Sequence, residues 1–95
     1  MVEARSWIVE FRAVVMDIRE ERRIGGRVRW QMLLDHTEFT PDTVGTLKAV
    51  ARSGALLIVP VLSITVGEAG EMWHTVEKPL AQGTEVTGRV EGRAN

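Results

Sequence analysis

The first apolar pattern in the chain fits two periods at once. Between Trp7 and Ile18, the residues Trp7, Val9, Phe11, Ala13 and Val15 make one unbroken apolar face at a period of two, as a strand requires. Trp7, Ile8, Phe11, Val14, Val15 and Ile18 also make a helical stripe, with Ser6 placed as an N-cap and Gly25 as a stop. The wealth of β-branched and aromatic side chains favours the strand. The next segment agrees, because Val28, Trp30, Met32 and Leu34 alternate cleanly with Arg27, Arg29, Gln31 and Leu33. Two such runs around Gly25-Gly26 predict a β-hairpin with Arg19-Glu20-Glu21-Arg22-Arg23 near its tip.

The period then changes. Thr40-Pro41-Asp42 has the chemistry of a helix start: Thr40 as N-cap, Pro41 in the first helical position, and Asp42 at the positive end of the dipole. Val44, Leu47 and Val50 or Ala51 follow at helical spacing, and Gly54 stands where a left-handed residue would end the helix. Gly45 costs such a helix about 1 kcal/mol relative to alanine, a cost that a close backbone approach would explain. Ala55 to Val66 is apolar and β-branched and predicts the most buried strand, with a bulge or an edge position near Pro60. Gly67 to Gly70 is a turn, Glu71 to Lys78 a further strand stopped by Pro79, and Gln82-Gly83 another turn. In Thr84 to Glu91, Val86 and Val90 face inward and Glu85, Thr87, Arg89 and Glu91 outward, the pattern of an exposed edge strand.

The predicted order is β-β-α-β-β-β: an α+β domain in which one helix packs on a small, mostly antiparallel curved sheet. The alternative is a small closed barrel with the helix plugging one end, similar to an OB-fold. The chain of 95 residues is read as a single domain over 1–95, with 1–5 and 92–95 frayed. A hydrophobic content of 44% and a charged content of 26% are those of a globular protein. The start of the chain lacks the basic residues and apolar run of a signal peptide, and the Ala55–Val66 run is too short to span a bilayer as a helix. A cytoplasmic protein without membrane contact is therefore expected.

The absence of cysteine removes disulfides, thiolate metal sites and cysteine nucleophiles. Gly25-Gly26 and Gly67-x-x-Gly70 lack the spacing of phosphate-binding loops. Ser6, Ser53 and Ser63 stand in no activating context. Asp35-His36-Thr37-Glu38 is the one local cluster with metal or acid–base chemistry, but the second histidine, His74, is remote and no ligand spacing joins them. The sequence predicts no catalytic residue, no metal and no cofactor, and so no enzyme.

Two surfaces remain. Net charge is −1, yet Arg19, Arg22, Arg23, Arg27 and Arg29 outnumber Glu20 and Glu21 in the hairpin. Such an arm suits nucleic acid, with Trp30 and Trp73 as stacking faces; the plainer expectation is a solvated hairpin tip and tryptophans used in packing. The other surface is the expected last strand, where Thr84, Val86, Gly88 and Val90 would pair edge to edge with another chain. The function expected from the sequence is a small binding or assembly module, a homo-oligomer or the partner of another protein. Nucleic-acid binding through residues 19–29 is the alternative.

Overall fold

Every regular element in the computed structural model, which describes residues 8–93, is a β-strand. The strands are β1 (Val9–Ile24), β2 (Arg27–Leu34), β3 (Thr43–Val50), β4 (Leu56–Val61), β5 (Ser63–Val66), β6 (Met72–Val76) and β7 (Glu85–Arg93). All pairings are antiparallel, in the order β4-β3-β7-β1-β2-β6-β5. The α+β expectation is therefore corrected to an all-β fold. With no helix among the described residues, the helix-plugged, OB-like alternative falls with it.

The predicted helix is a turn followed by a strand. Thr43 N–H donates to the Thr40 carbonyl at 3.0 Å, and Thr40 N–H donates to Thr43 Oγ1 at 2.8 Å. Pro41 thus stands in the second position of a β-turn, where its fixed φ serves as well as it would in a first helical turn. Beyond the turn, Gly45, Leu47 and Ala49 are buried while Lys48 and Val50 are exposed, a period of two. Gly54 does adopt positive φ (90°), but as the last loop residue of the β3–β4 hairpin. Its N–H donates to the Ala51 carbonyl at 2.9 Å, and Ala51 N–H donates to the Ala55 carbonyl at 2.8 Å.

The ends of the strand order meet. β4 and β5 lie at opposite ends of the strand order yet are consecutive in the chain, separated by Leu62 alone. They are two halves of one bent strand, the first paired with β3 and the second with β6. Leu62 N–H donates to the Thr75 carbonyl at 2.9 Å and carries the ladder around the corner. β1 turns the opposite corner: Val9–Val14 pair with β7, Val15–Ile24 pair with β2, and the register shifts at Met16 where one partner replaces the other. The sheet therefore wraps around one core, drawn from Phe11, Ala13 and Val15, Met32 and Leu34, Leu47 and Ala49, Val59 and Val61, Ile64, Val76, and Val86 and Val90, closed by the loop residues Phe39 and Leu80.

The β1–β2 hairpin forms around Gly25-Gly26, but Arg19–Arg23 lie within β1 and not at its tip, and the one strand expected over Ala55–Val66 is divided into β4 and β5. The hairpin turn is Gly25-Gly26 with φ of 55° and 81°, the doubly positive turn that only glycine enters without strain. Gly92 and Arg93 belong to β7; Ala94 and Asn95, and residues 1–5 with Ser6 and Trp7, lie outside the described residues.

Buried polar groups on the β2–β6 half of the sheet are mostly satisfied. The exception is the buried Thr75 hydroxyl, which has no hydrogen-bond partner among the described residues. Thr75→Val keeps the shape and removes an uncompensated polar atom, so it is expected to leave stability unchanged or raise it by about 1 kcal/mol. Urea denaturation of the two proteins measures this; a loss of stability would show that the hydroxyl is bonded in solution.

Candidate functional site

The acidic loop between β2 and β3 is structural in its contacts. His74 lies on β6 opposite Met32 and is fully buried. Its Nδ1 is 3.0 Å from the Met32 carbonyl, which can only accept, so Nδ1 carries the proton. Nε2 is then the acceptor for the Thr37 hydroxyl at 2.8 Å, and Thr37 Oγ1 accepts the Phe39 N–H at 3.0 Å. This chain ties the loop to the sheet and seats Phe39, whose ring meets His74 and Phe11 edge-on at 5.5 and 5.7 Å. Burial pushes the His74 imidazole below the ordinary histidine range, against a smaller upward pull from the Met32 and Met72 carbonyls.

The rest of the Asp35–Glu38 cluster faces outward. His36 Nε2 lies 3.1 Å from Glu38 Oε2 at the surface, and Asp35 Oδ1 accepts the Val14 N–H at 2.9 Å beside the β1 corner. No group of three or more potential metal ligands comes together among the described residues. An open groove of about 1010 Å³ runs past Arg12, Asp35, Lys48, Arg52 and Glu85. Its charges are mixed, and neither serine of the described residues, Ser53 or Ser63, lines it.

The expected edge strand is not an edge. β7 lies between β1 and β3, with Val86 opposite Ala13, Gly88 opposite both Phe11 and Leu47, and Val90 opposite both Val9 and Gly45. Val86 and Val90 are buried, Gly88 packs under the Phe11 ring, and the Thr84 carbonyl accepts the Val15 N–H at 2.9 Å. Thr84, Val86, Gly88 and Val90 therefore have no free ladder to offer. The charged outer residues of β7 mark one wet face, a property that edge and interior strands share.

The open edge belongs to β4, the segment expected to be most buried. Leu56, Leu57 and Ile58 are 56%, 42% and 52% exposed, and Val50, opposite Leu56 on β3, is 68% exposed. The direction of the backbone follows from the ladder. The Ala51–Ala55 hydrogen bond starts an alternation in which Leu57, Val59 and Val61 bond to β3 while Leu56, Ile58 and Pro60 point their main chain away. The same parity turns Leu62 N–H toward β6, where it is bonded. β6 ends at Val76, so Leu56 to Pro60 run past it with their outer side unpaired by any strand. Pro60 lacks an N–H and lies where no bond to β3 is required of it.

The arginines of the hairpin are divided between two faces. Arg22 stands directly opposite Arg29, Arg23 opposite Val28, and Arg19 opposite Gln31. Arg27, Arg29 and Gln31 share one face of β2 by alternation, and Arg22 and Arg19 share it by pairing. Arg19 and Arg22 are three residues apart and fall on one face only because the register shifts between Glu20 and Arg22. Arg23 lies on the other face, with its guanidinium 3.7 Å from Glu20. Trp73 is 5% exposed beneath Arg19, whose guanidinium carbon is 3.8 Å from the ring centroid, and its Nε1 donates to Glu71 Oε2 at 3.0 Å. That bond holds the Glu71 carboxyl below the ordinary range. Trp30 is partly buried and packs against the core, and Trp73 lies beneath Arg19, so packing is the visible role of both tryptophans.

The fold and these surfaces define a small all-β domain whose distinctive features are an open edge and a basic ribbon. In comparisons with protein-family models, curated proteins and solved structures, the chain matches none of them. No helix among the described residues is long and apolar enough to cross a membrane.

Proposed function

We propose that this protein is a non-catalytic assembly module whose open β4 edge pairs antiparallel with the same edge of a second copy. The observation that carries this reading is the stretch Leu56–Pro60, where an unpaired edge and exposed apolar side chains coincide. A long apolar edge is an aggregation hazard unless it is covered, and natural sheets usually blunt such edges with charge. Here Val50, Leu56 and Ile58 leave it apolar, and Lys48, opposite Ile58, is the nearest charge along the ladder. Pro60 limits the pairable length. A register that sets Leu56 of one copy opposite Ile58 of the other uses the amides and carbonyls of both residues and leaves Pro60 outside the pairing. A two-fold axis makes this contact self-complementary and closed.

Ile58→Lys places a charge on the edge at an exposed position, so the fold should tolerate it. The wild-type protein is expected to show a concentration-dependent dimer by sedimentation equilibrium, and the variant a monomer with an unchanged circular dichroism spectrum. A wild-type protein that stays monomeric at the highest attainable concentration, or a variant that dimerises as well as wild type, would overturn the reading.

A further inference from the structure

We propose that the arginine-bearing face of the β1–β2 ribbon binds the phosphate backbone of double-stranded DNA. Arg19, Arg22, Arg27 and Arg29 share that face because of the bulge at Glu21, whereas Glu20 pairs with Arg23 on the opposite one. The bulge thus separates the basic side chains from part of the acid that neutralises them in sequence. Every side chain described from Arg19 to Arg27 is exposed, so the ribbon extends clear of the core. Arg22 and Arg29 face each other across the ladder, and Arg27 lies about 7 Å from Arg29 along β2, two strand residues away. The acids near this face are Asp17 and Glu77 at the base of the ribbon, the second with one carboxylate oxygen 4.0 Å from Arg29, and Glu71, whose carboxylate accepts the Trp73 Nε1–H beneath Arg19; Glu21 is the bulged residue beside Arg22.

Guanidinium groups form forked, charge-assisted hydrogen bonds to phosphate oxygens, and a two-stranded ribbon has the width that the DNA major groove admits. Duplex is favoured over single strand by the aromatic residues: binding of single strands relies on stacking, and Trp73 is covered by Arg19 while Trp30 is packed against the core. The proposal is independent of the β4 edge, which lies in the other half of the sheet.

The test is fluorescence anisotropy of a labelled duplex titrated with the full chain at several salt concentrations. With three to four phosphates engaged, the logarithm of affinity should fall against the logarithm of salt with a slope of about −3. Arg22→Glu with Arg27→Glu should weaken binding at least tenfold at low salt and flatten the slope by about two. Circular dichroism and tryptophan emission of the double variant should match wild type. Lys48→Glu, a charge reversal on β3 away from the ribbon, should leave the slope unchanged, and Arg22→Gln with Arg27→Gln should give an intermediate loss. The proposal is overturned if wild type shows no salt-dependent binding at low salt. It is overturned equally if the double variant binds as wild type does, or if single strands or anionic lipid vesicles are bound in preference to duplex.

Discussion

Gly45→Ala should remove a large part of the stability of this protein. A β-carbon at position 45 would collide with the Arg89 backbone carbonyl on β7, the carbonyl carbon itself lying 2.9 Å away. Backbone cannot turn aside as a side-chain tip can, so relief requires β3 to separate from β7. That ladder is central: β7 joins β3 to β1, and the register already shifts between Val44 and Gly45, leaving Glu91 as the extra residue. A loss on the order of 4 kcal/mol is expected, in the range reserved for strain that the structure cannot absorb. Domains of this size have about 5–15 kcal/mol in total. Gly92→Ala is the matched control, since a β-carbon there meets nothing within 4 Å. It should be neutral or slightly stabilising through the unfolded chain. Urea denaturation of the three proteins measures both effects, and equal midpoints for Gly45→Ala and wild type would refute the packing described.

The second large effect is a pH dependence set by His74. Its folded-state imidazole is held below the ordinary range, mainly by burial, while the unfolded chain takes up the proton near pH 6.5. Between those two values the unfolded state binds the extra proton, so stability falls as pH falls. The contribution is complete above pH 6.5 and declines at up to about 1.4 kcal/mol per pH unit below it. The carboxylates of Asp42 and Glu71, both held below the ordinary range chiefly by side-chain hydrogen bonds from Thr40 and Trp73, act at lower pH with the same sign. Denaturation between pH 5.5 and 7.5 lies above the carboxylate range, and comparison with variants of His74 assigns the slope to that residue. His74→Gln should flatten the profile in that window. His74→Leu should flatten it too, and should also cost about 2–4 kcal/mol at pH 7.5 by taking from the Met32 carbonyl the donor, and from the Thr37 hydroxyl the acceptor, that His74 supplies. A wild-type profile already flat between pH 5.5 and 7.5 would mean that His74 is not held neutral.

The sequence misleads where a short motif fits two structures. Thr40-Pro41-Asp42 offers a fixed φ and short polar side chains, and a β-turn uses both as readily as a helix does, the Asp42 carboxylate accepting the Thr40 hydroxyl. Period-two burial at Gly45, Leu47 and Ala49 was as legible as Val44, Leu47 and Val50 at helical spacing. The collision at Gly45 with another strand is what separates them, and it is a tertiary fact. The same holds for Ala55–Val66. An unbroken apolar run is compatible with burial on both faces, but here Val59 and Val61 face the core while Leu56 and Ile58 alternate onto the outer face, and β6 ends before it can pair with their main chain.

By itself the sequence determined what depends on neighbours along the chain. The alternation of Val28, Trp30, Met32 and Leu34 specifies β2, and Gly25-Gly26 permits the doubly positive turn of the hairpin. The lack of cysteine and of phosphate-loop spacing is equally a property of the string. Only the tertiary structure decided which strand is an edge and which arginines share a face. Edge status depends on which strands lie alongside, and the strands flanking β7 come from the start and the middle of the chain while β4 runs past the end of β6. The arginine face depends on one extra residue in the register at Glu21, a shift set by pairing across the hairpin and invisible in alternation alone.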